Sequence, residues 1–424
     1  MRFPWTSSAR ERRVLIVVQN LPVPFDRRVW LEATTLARAG YRVTVICPKM
    51  KGFNASRETL EDVEILRYPL PVDAKGMIGF AAEFAWCFAA TALLTARTAL
   101  FGRGVDVMHV CNPPEIYFPL GWLCRAFGKV FIFDHHDLSP EMFAVKFRRD
   151  GGMLMRALLF LERMTFNAAQ LVLTTNESHK QVAIARGGCE PDNVFIVRSG
   201  PDLSRFKTFP RAGTWHGGKP FLLAYLGEIC EQDGVDHLVR AMKILRDERG
   251  RSDIHCIFMG GGPHQPVIAN YAAELGLADC CTFTGRVSDD MLCQVLSSAD
   301  LGVDPDPKNP WSDRSTMNKV IEYMFFGLPV VAYDLHETRV SAGDAGLYVE
   351  ANRESALADG IAALLDDAGT RARMGETGRR RVTEKLAWNH SAPVLLRAYE
   401  HAFALMSNPA GALNTRGHAD APGL

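Results

Sequence analysis

The chain has 424 residues, of which 47% are hydrophobic and 23% charged, and its 48 acidic side chains equal its 48 basic ones. This composition excludes a disordered or fibrous protein, because enough apolar surface is available to offset the conformational entropy lost on folding. A net charge of zero also argues against a dedicated nucleic-acid-binding protein, which usually carries a basic excess.

Short β-branched runs alternate with longer helical stretches through the first half of the chain. Residues 14–19 predict a strand, and a helix over residues 27–39 leads through Gly40 to a second strand at residues 41–48. Further strands are predicted at residues 63–68, 106–111, 129–134, 171–175 and 193–198. Alternation of this kind is typical of βαβ units and a mainly parallel sheet.

The alternation restarts after a segment rich in Gly, Pro and polar residues at positions 200–220. The expected fold class is therefore α/β, with two Rossmann-like doubly wound domains that face each other across a cleft, and C-terminal helices. The predicted organisation is an N-terminal domain over residues 1–205, a linker at 206–218, a C-terminal domain with closing helices over 219–406, and a disordered tail at 407–424.

Residues 77–101 are apolar almost throughout and are interrupted by Glu83 and Arg97. Three interpretations stay open: a buried or half-buried helix, a helix lying in a membrane interface, and a true span, in which two charges would be costly. Basic residues nearby, among them Lys75 and Arg103, would suit an anionic leaflet.

The cysteines and the N-terminus indicate the compartment. The ten cysteines include no Cys-x-x-Cys pair, so neither a zinc knuckle nor a thioredoxin-type redox site is indicated. The N-terminus lacks the small-residue cleavage site of a signal peptide. We therefore predict a cytoplasmic protein, or one peripheral to the inner membrane face if residues 77–101 lie in the interface.

The strongest local signal is the segment STMNKVIEYMFFGLPVVAY. Ser315 or Thr316 is the predicted N-cap of a helix that ends at Gly327. Its first amides would favour an anion, Lys319 would bind a phosphate, and Glu322 would bind a ribose diol. The alternative is an ordinary capped helix with an ion pair between residues three apart.

This segment and others, in chain order, resemble family-4 retaining glycosyltransferases of the GT-B type. NLPVPFDRRVWLEATTLARAGYRVTVICP resembles their opening strand, loop, helix and strand; FDHHDLSPE resembles a mid-domain strand end, and VRSGPDLSRF the entry between the domains. YLGEICEQDGVDHLVRA, FMGGGP, FTGRVSDDML and SSADLGVDP follow in the order of the C-terminal domain. The likeness spans residues 13–366.

The resemblance implies roles for several residues on the donor side. Glu322 matches the glutamate that holds the nucleotide ribose. Gly227 should border the diphosphate, and Gly261 and Gly262 should let a base or phosphate approach the backbone closely. For the two glycines of the turn, the alternative is a plain tight turn.

The chain departs from the family pattern at three positions. Arg314 stands eight residues before Glu322, where the family has an acid for the donor sugar, and Asp313 is a possible substitute for that sugar contact. Glu228 and Asp233 occupy the positions of the Arg and Lys that neutralise the diphosphate. Acids at these positions would repel it.

We therefore predict that the diphosphate clamp has moved to the segment that carries Arg314, Asn318 and Lys319. Two cationic side chains and the amides of the helix would then replace the missing pair.

On the acceptor side, the resemblance makes His136 the cleft histidine that contacts the donor sugar or phosphate. Asp137 would orient it or assist the acceptor hydroxyl; the alternative for the histidine is a hydrogen-bonded strand end. No metal site is predicted. Adjacent residues of a strand point to opposite faces, so His135 and His136 cannot easily share an ion. The Asp-Pro-Asp triplet at residues 304–306 lacks the single-domain context in which such triplets bind manganese.

The predicted function is the transfer of a sugar from a nucleotide sugar to a hydroxyl acceptor, with retention of configuration and without a cofactor or metal. The acceptor would be a lipid-linked saccharide or a polysaccharide precursor, with a peripheral membrane contact through residues 77–101. Two alternatives remain: a nucleotide-sugar epimerase of the same fold, and a non-catalytic subunit. The donor base, the sugar and the oligomeric state do not follow from the sequence.

Overall fold

The structure, a computed structural model, describes residues 12–70 and 76–407, with side chains undescribed at residues 77 and 78. It contains two sheets, and the strands of the first follow the order β3-β4-β2-β1-β5-β6-β7-β8. They are β1 (Arg13–Val17), β2 (Arg42–Pro48), β3 (Arg57–Leu60), β4 (Val63–Tyr68), β5 (Val107–Cys111), β6 (Val130–His135), β7 (Leu171–Thr174) and β8 (Val194–Ile196).

All neighbouring strands of the first sheet run parallel except β3, which pairs antiparallel with β4. The seven parallel strands match the predicted ones, and β3 was not predicted because its sequence, RETL, has no apolar pattern. The helices of this part of the chain are α1 (Arg27–Arg38), α2 (Gly76–Phe101), α3 (Phe118–Ala126), α4 (Ser139–Phe147), α5 (Met153–Ala168) and α6 (Glu177–Ala185).

The second sheet has six parallel strands in the order β11-β10-β9-β12-β13-β14. These are β9 (Phe221–Leu226), β10 (Ile254–Met259), β11 (Cys281–Gly285), β12 (Leu301–Asp304), β13 (Val330–Tyr333) and β14 (Gly346–Val349). The helices are α7 (Val235–Asp247), α8 (Gln265–Glu274), α9 (Asp289–Ser298), α10 (Asn318–Phe325), α11 (His336–Ala342), α12 (Glu354–Asp366), α13 (Ala368–Arg381) and α14 (Trp388–Ser407).

Apolar clusters cover both faces of the second sheet. One cluster joins the sheet to α7, α8 and α12, and the other joins it to α9 and α10. Burial on both faces explains why these strands appear in the sequence as nearly continuous apolar runs. The fold class predicted from the alternation is confirmed: the chain is α/β, with two doubly wound parallel-sheet domains.

The described residues form two compact units. The first comprises the residues up to 140, residues 151–197 and the residues from 392 onwards; the second comprises residues 141–150 and 198–391. The division therefore falls after residue 197, and α14 contributes to both units.

Helix α2 coincides with the predicted apolar segment and lies on the surface of the first unit. Its buried residues Cys87, Thr91 and Thr98 pack along one side, and only 17% of its most apolar window is buried. Among the described residues it is the one helix whose length and composition would permit it to cross a membrane, which by itself is weak evidence. A fully buried core helix is therefore excluded.

Candidate functional site

The loops that follow β9 and β10 lie against each other at the carboxyl edge of the second sheet. A Cβ added at Gly260 would lie 1.6 Å from the carbonyl oxygen of Gly227, and one at Gly262 would lie 2.4 Å from that of Ile229. The amide of Ile229 donates to the carbonyl of Gly261 at 3.0 Å. Glycine is thus required by close backbone approach at Gly260 and Gly262, whereas a Cβ at Gly261 would make only an ordinary contact, 3.9 Å from the backbone nitrogen of Arg286.

Lys319 extends from the first turn of α10 towards Gly227. A Cβ at Gly227 would lie 3.3 Å from the Cε of Lys319. The ammonium lies 5.1 Å from the ring centroid of Tyr225, contacts Asp306, and is 3.4 Å from the Asp304 carboxylate. The structure thus brings together two predicted donor residues, Gly227 and Lys319, and adds the two aspartates of the triplet as ion-pair partners.

A third carboxyl group lies near this ion pair. Gly234 has a positive φ of 63°, and a Cβ there would lie 2.2 Å from the carbonyl oxygen of Pro305, so the turn that carries Asp233 packs directly on the triplet. Burial opposes the charge of Lys319, but the acids around it raise its pKa well above the ordinary value. Burial also raises the pKa of Asp233. Three acids surround one cation.

Helix α10 begins at Asn318, and its N-cap is Met317, which makes no side-chain capping hydrogen bond. The prediction of Ser315 or Thr316 as N-cap is therefore wrong; the Ser315 hydroxyl instead donates to the carbonyl of Trp311 at 2.8 Å. Asn318 is exposed and Glu322 is buried.

Arg314 and Asp313, two further predicted donor residues, bind residues outside the group around Lys319. Arg314 Nη1 lies 3.4 Å from Glu141 Oε1, and its side chain is 46% exposed. An oxygen of Asp313 accepts a hydrogen bond of 2.8 Å from the amide of His336, at the start of α11. The sugar contact of Asp313 and the place of Arg314 in a diphosphate clamp stay predictions.

In the first unit, His136 lies at the carboxyl end of β6 and is mostly buried. Its Nδ1 shares a hydrogen bond of 3.1 Å with Asp134 Oδ2, and Arg28 donates two parallel hydrogen bonds, of 2.9 and 2.7 Å, to the same carboxylate. Burial alone would lower the pKa of His136, but the Asp134 carboxylate raises it. Neither Arg28 nor Asp134 was among the predicted site residues; the signals for them in the sequence are the two arginines that follow Asp26 and the run of polar residues at 134–137.

A second network fixes the loop that carries Asp137. Asn112 accepts from the amides of His136 and Asp137, at 2.9 and 3.2 Å, and donates to Glu115 at 2.8 Å. Ser139 donates to the same Glu115 oxygen at 2.6 Å. The carboxylate of Asp137 accepts from the amide of Leu138 at 2.8 Å, so the backbone of the predicted catalytic pair is held rigidly.

His135 and His136 face different surroundings, as the strand geometry predicts. His135 is fully buried, and its Nε2 lies 3.4 Å from Glu162. Elsewhere in the unit a group of mixed side chains offers donor atoms that all lie within 4.8 Å of one another: Glu32, His109, Cys111 and Asp134.

Two models of known domain families match the chain. Residues 26–200 match a glycosyl transferase 4-like domain, and residues 220–367 match glycosyl transferases group 1. Together the two matches cover most of both units.

Curated relatives and solved structures agree with these matches. A D-inositol 3-phosphate glycosyltransferase from Nocardia farcinica is 29% identical over 299 residues, which are 67% of this chain and 64% of that protein. Sucrose-phosphate synthase from Thermosynechococcus elongatus superposes with a TM-score of 0.77 at 19% identity, over 93% of this chain and all of that one. Anabaena HepE in complex with UDP-glucose gives a TM-score of 0.67 at 15% identity, with the same coverage.

Proposed function

We propose that this chain, which is a family-4-like glycosyltransferase of the GT-B type, transfers a sugar from a nucleotide-sugar donor to a hydroxyl acceptor with retention of configuration. The observation that carries the proposal is the contact between Gly227 and Lys319 at the carboxyl edge of the second sheet. Glu322 lies one turn further along the same helix. A diphosphate at the start of α10 and a ribose near Glu322 would use all three residues.

The acids around Lys319 decide how a diphosphate would bind there. Burial raises the pKa of Asp306, and so does the proximity of Asp304 and Asp233. A proton on Asp306 would leave the ammonium of Lys319 free to contact a phosphate oxygen. Donor binding would then be accompanied by proton uptake, and it would strengthen as the pH falls.

The transfer itself needs positive charge where the nucleoside diphosphate leaves, since negative charge grows there in the transition state. We assign this role to Lys319, the first amides of α10 and Arg314. The departing phosphate would accept the proton of the acceptor hydroxyl on the same face of the sugar, so the step requires no metal and no cofactor. His136 and Asp137 would contact the donor sugar and the acceptor hydroxyl.

Isothermal titration with UDP and UDP-glucose tests the donor assignment, because HepE is described with both ligands. Lys319→Ala and Glu322→Ala should each weaken binding about tenfold or more, a loss of about 1.4 kcal/mol. Lys243→Ala, on α7, and Glu350→Ala are matched controls and should bind as the wild type does. Unchanged affinity in both site variants would refute the donor site.

The acceptor side of the proposal rests on the surface of the first unit. Trp86, Leu93 and Leu100 recur at seven-residue spacing on the outward side of α2, and the last two are 70% and 74% exposed. Helix α5 adds further exposed apolar side chains, interleaved with Arg156 and Arg163. Apolar side chains among arginines suit an anionic membrane surface, so we propose peripheral binding at the inner membrane face and a lipid-linked saccharide or polysaccharide precursor as acceptor.

A non-catalytic subunit of the same fold is the second candidate, and the acids at Glu228 and Asp233 favour it. If a panel of nucleotide sugars, including UDP-glucose, gives no heat of binding and no thermal shift with the wild type, the acids repel the donor and this candidate gains support. A donor that binds and is turned over with membrane lipids excludes it.

A further inference from the structure

We propose that Glu32, His109, Cys111 and Asp134 form a closed, four-coordinate site for a structural Zn²⁺ ion in the first unit. All four residues belong to the first unit, and the inference does not depend on the proposed reaction.

The fold brings the four side chains together from three neighbouring elements. His109 and Cys111 are two residues apart on β5 and therefore project from the same face of the strand. Cys111 lies opposite Asp134 in the parallel register of β5 and β6. Glu32 comes from the buried side of α1. One nitrogen, one sulfur and two carboxylate oxygens thus converge near the carboxyl end of the sheet.

The distances between the donor atoms are those of a slightly expanded tetrahedron. His109 Nε2 lies 3.8 Å from Glu32 Oε2, 3.8 Å from Asp134 Oδ2 and 3.7 Å from Cys111 Sγ. Zinc bonds of about 2.0 to 2.3 Å in tetrahedral geometry give donor–donor separations of about 3.3 to 3.8 Å. All four donor atoms lie within 4.8 Å of one another, so movements of less than about 1 Å would complete the coordination.

The unsatisfied carboxylate of Glu32 also indicates a bound ion. Its side chain is fully buried, and neither carboxylate oxygen accepts a hydrogen bond. Oε1 lies 3.1 Å from Arg28 Nη2, and Oε2 faces His109. Arg28 thus offsets the charge at Oε1, whereas a buried oxygen such as Oε2 without a close partner is costly, and a metal ion there would remove that cost.

The charge of Arg28 fits a zinc site rather than opposing it. With zinc bound, the two carboxylates and the thiolate carry three negative charges, and the ion together with the Arg28 guanidinium carries three positive ones. Arg28 contacts Asp134 through Oδ1 and Oδ2 and Glu32 through Oε1, leaving Oε2 of Glu32 directed at the centre of the group. The guanidinium then acts as an outer partner that orients both carboxylates, as is usual around metal ligands.

His109 is also held as a metal ligand would be. Its Nδ1 shares a hydrogen bond of 2.8 Å with the hydroxyl of Tyr399, which leaves Nε2 facing the other three donors. A mixed sulfur, nitrogen and oxygen set suits zinc better than calcium or magnesium, which prefer oxygen alone. Four protein ligands leave no open position for a water molecule, so the ion would stabilise the junction of α1, β5 and β6 without entering the reaction.

The test uses the full chain, freed of any affinity tag, and measures its metal content by mass spectrometry after extensive dialysis. We expect close to one zinc per chain. Cobalt exchanged into the site should give the intense thiolate-to-cobalt absorption that signals a cysteine ligand. Cys111→Ala should lose both signals, whereas Cys47→Ala, which removes a buried thiol from β2 of the same sheet, should keep them.

Three outcomes would overturn the proposal. The first is a wild-type protein that contains less than about a tenth of an equivalent of zinc and also takes up no cobalt. The second is a folded Cys111→Ala variant that retains zinc. The third is an equal loss of zinc from both cysteine variants. If Cys111→Ala does not fold, the wild-type content and the cobalt spectrum still decide the matter, because neither needs a variant.

Discussion

Lys319 and Asp306 form an ion pair that is almost fully buried, with the Lys319 side chain only 11% exposed. The pair joins the first turn of α10 to the loop after β12, and the ring of Tyr225 lies beside the ammonium. The charge of Lys319, which the sequence analysis assigned to a phosphate site, is therefore already neutralised by Asp306 within the protein. Any anionic ligand must compete with Asp306 for it.

Replacing Asp306 should strengthen donor binding. Asp306→Asn keeps the shape of the side chain and removes its charge, so the ammonium of Lys319 becomes available to a diphosphate. We expect UDP to bind about tenfold more tightly, a gain of about 1.4 kcal/mol, measured by isothermal titration at neutral pH. Asp279→Asn, an exposed aspartate of the same unit, is the control. Weaker binding in Asp306→Asn would mean that the aspartate itself contacts the ligand.

Gly234 offers a test of how the turn that carries Asp233 is held. Gly234 and Gly250 have nearly the same positive φ, 63° and 65°, but a Cβ at Gly250 meets nothing within 4 Å. Gly250→Ala should therefore cost about 1 to 2 kcal/mol, from backbone strain alone. Gly234→Ala should cost about 1 to 3 kcal/mol more, because its methyl group collides with Pro305.

Urea denaturation of the two glycine variants gives this comparison directly. Equal losses in the free energy of unfolding would show that the turn moves away from Pro305 at little cost.

The ion pairs of Asp106 should make the free energy of unfolding fall at acid pH. Arg13 donates to both of its carboxylate oxygens, at 2.7 and 2.8 Å, and Lys129 Nζ lies 3.0 Å away. Burial alone would raise the pKa of Asp106, but these hydrogen bonds lower it from 3.8 to about 2. The stabilisation is therefore complete above pH 3.8 and is lost as the pH falls towards 2.

Thermal unfolding between pH 5 and about pH 2 measures this dependence. The difference in Tm between the wild type and Asp106→Asn should shrink as the pH falls below 3.8. Asp192→Asn, at an exposed site in the same unit, should run parallel to the wild type throughout. A constant difference between the wild type and Asp106→Asn would contradict the assignment.

The membrane surface is tested by co-sedimentation with vesicles of phosphatidylglycerol and phosphatidylcholine. The double variant Leu93→Ser, Leu100→Ser should lose more than about tenfold in binding, because each leucine contributes up to about 1.5 to 3 kcal/mol when it leaves water. The double variant Val267→Ser, Val340→Ser removes exposed apolar side chains from the second unit and should bind as the wild type does. Equal sedimentation of all three proteins would remove the argument for α2.

Sequence patterns predicted most of the strands, because a strand buried on both faces is a continuous apolar run that can be recognised from neighbouring residues alone. The same patterns did not predict the ion pairs of the site, because the two partners of each pair lie far apart in the sequence. Lys319, on α10, and Asp306, in the loop after β12, lie 13 residues apart, and Arg28 lies 106 residues from Asp134. No local pattern shows that these charges meet, so Lys319 was predicted as a free phosphate ligand, and the ion pair of Arg28 with Asp134 was not predicted. The four proposed zinc ligands escaped notice for the same reason.

The hydrogen bond between His109 and Tyr399 has a consequence for synthesis. Tyr399 lies on α14, yet its hydroxyl is bonded to His109 of β5 and its ring lies 5.8 Å from that of Tyr41, the residue before β2. When the first 197 residues have been synthesised, the nascent chain therefore still lacks part of the first unit. That unit stays unfinished until the C-terminal helix emerges, and a chain cut after residue 391 should need the missing helix added in trans to recover its stability.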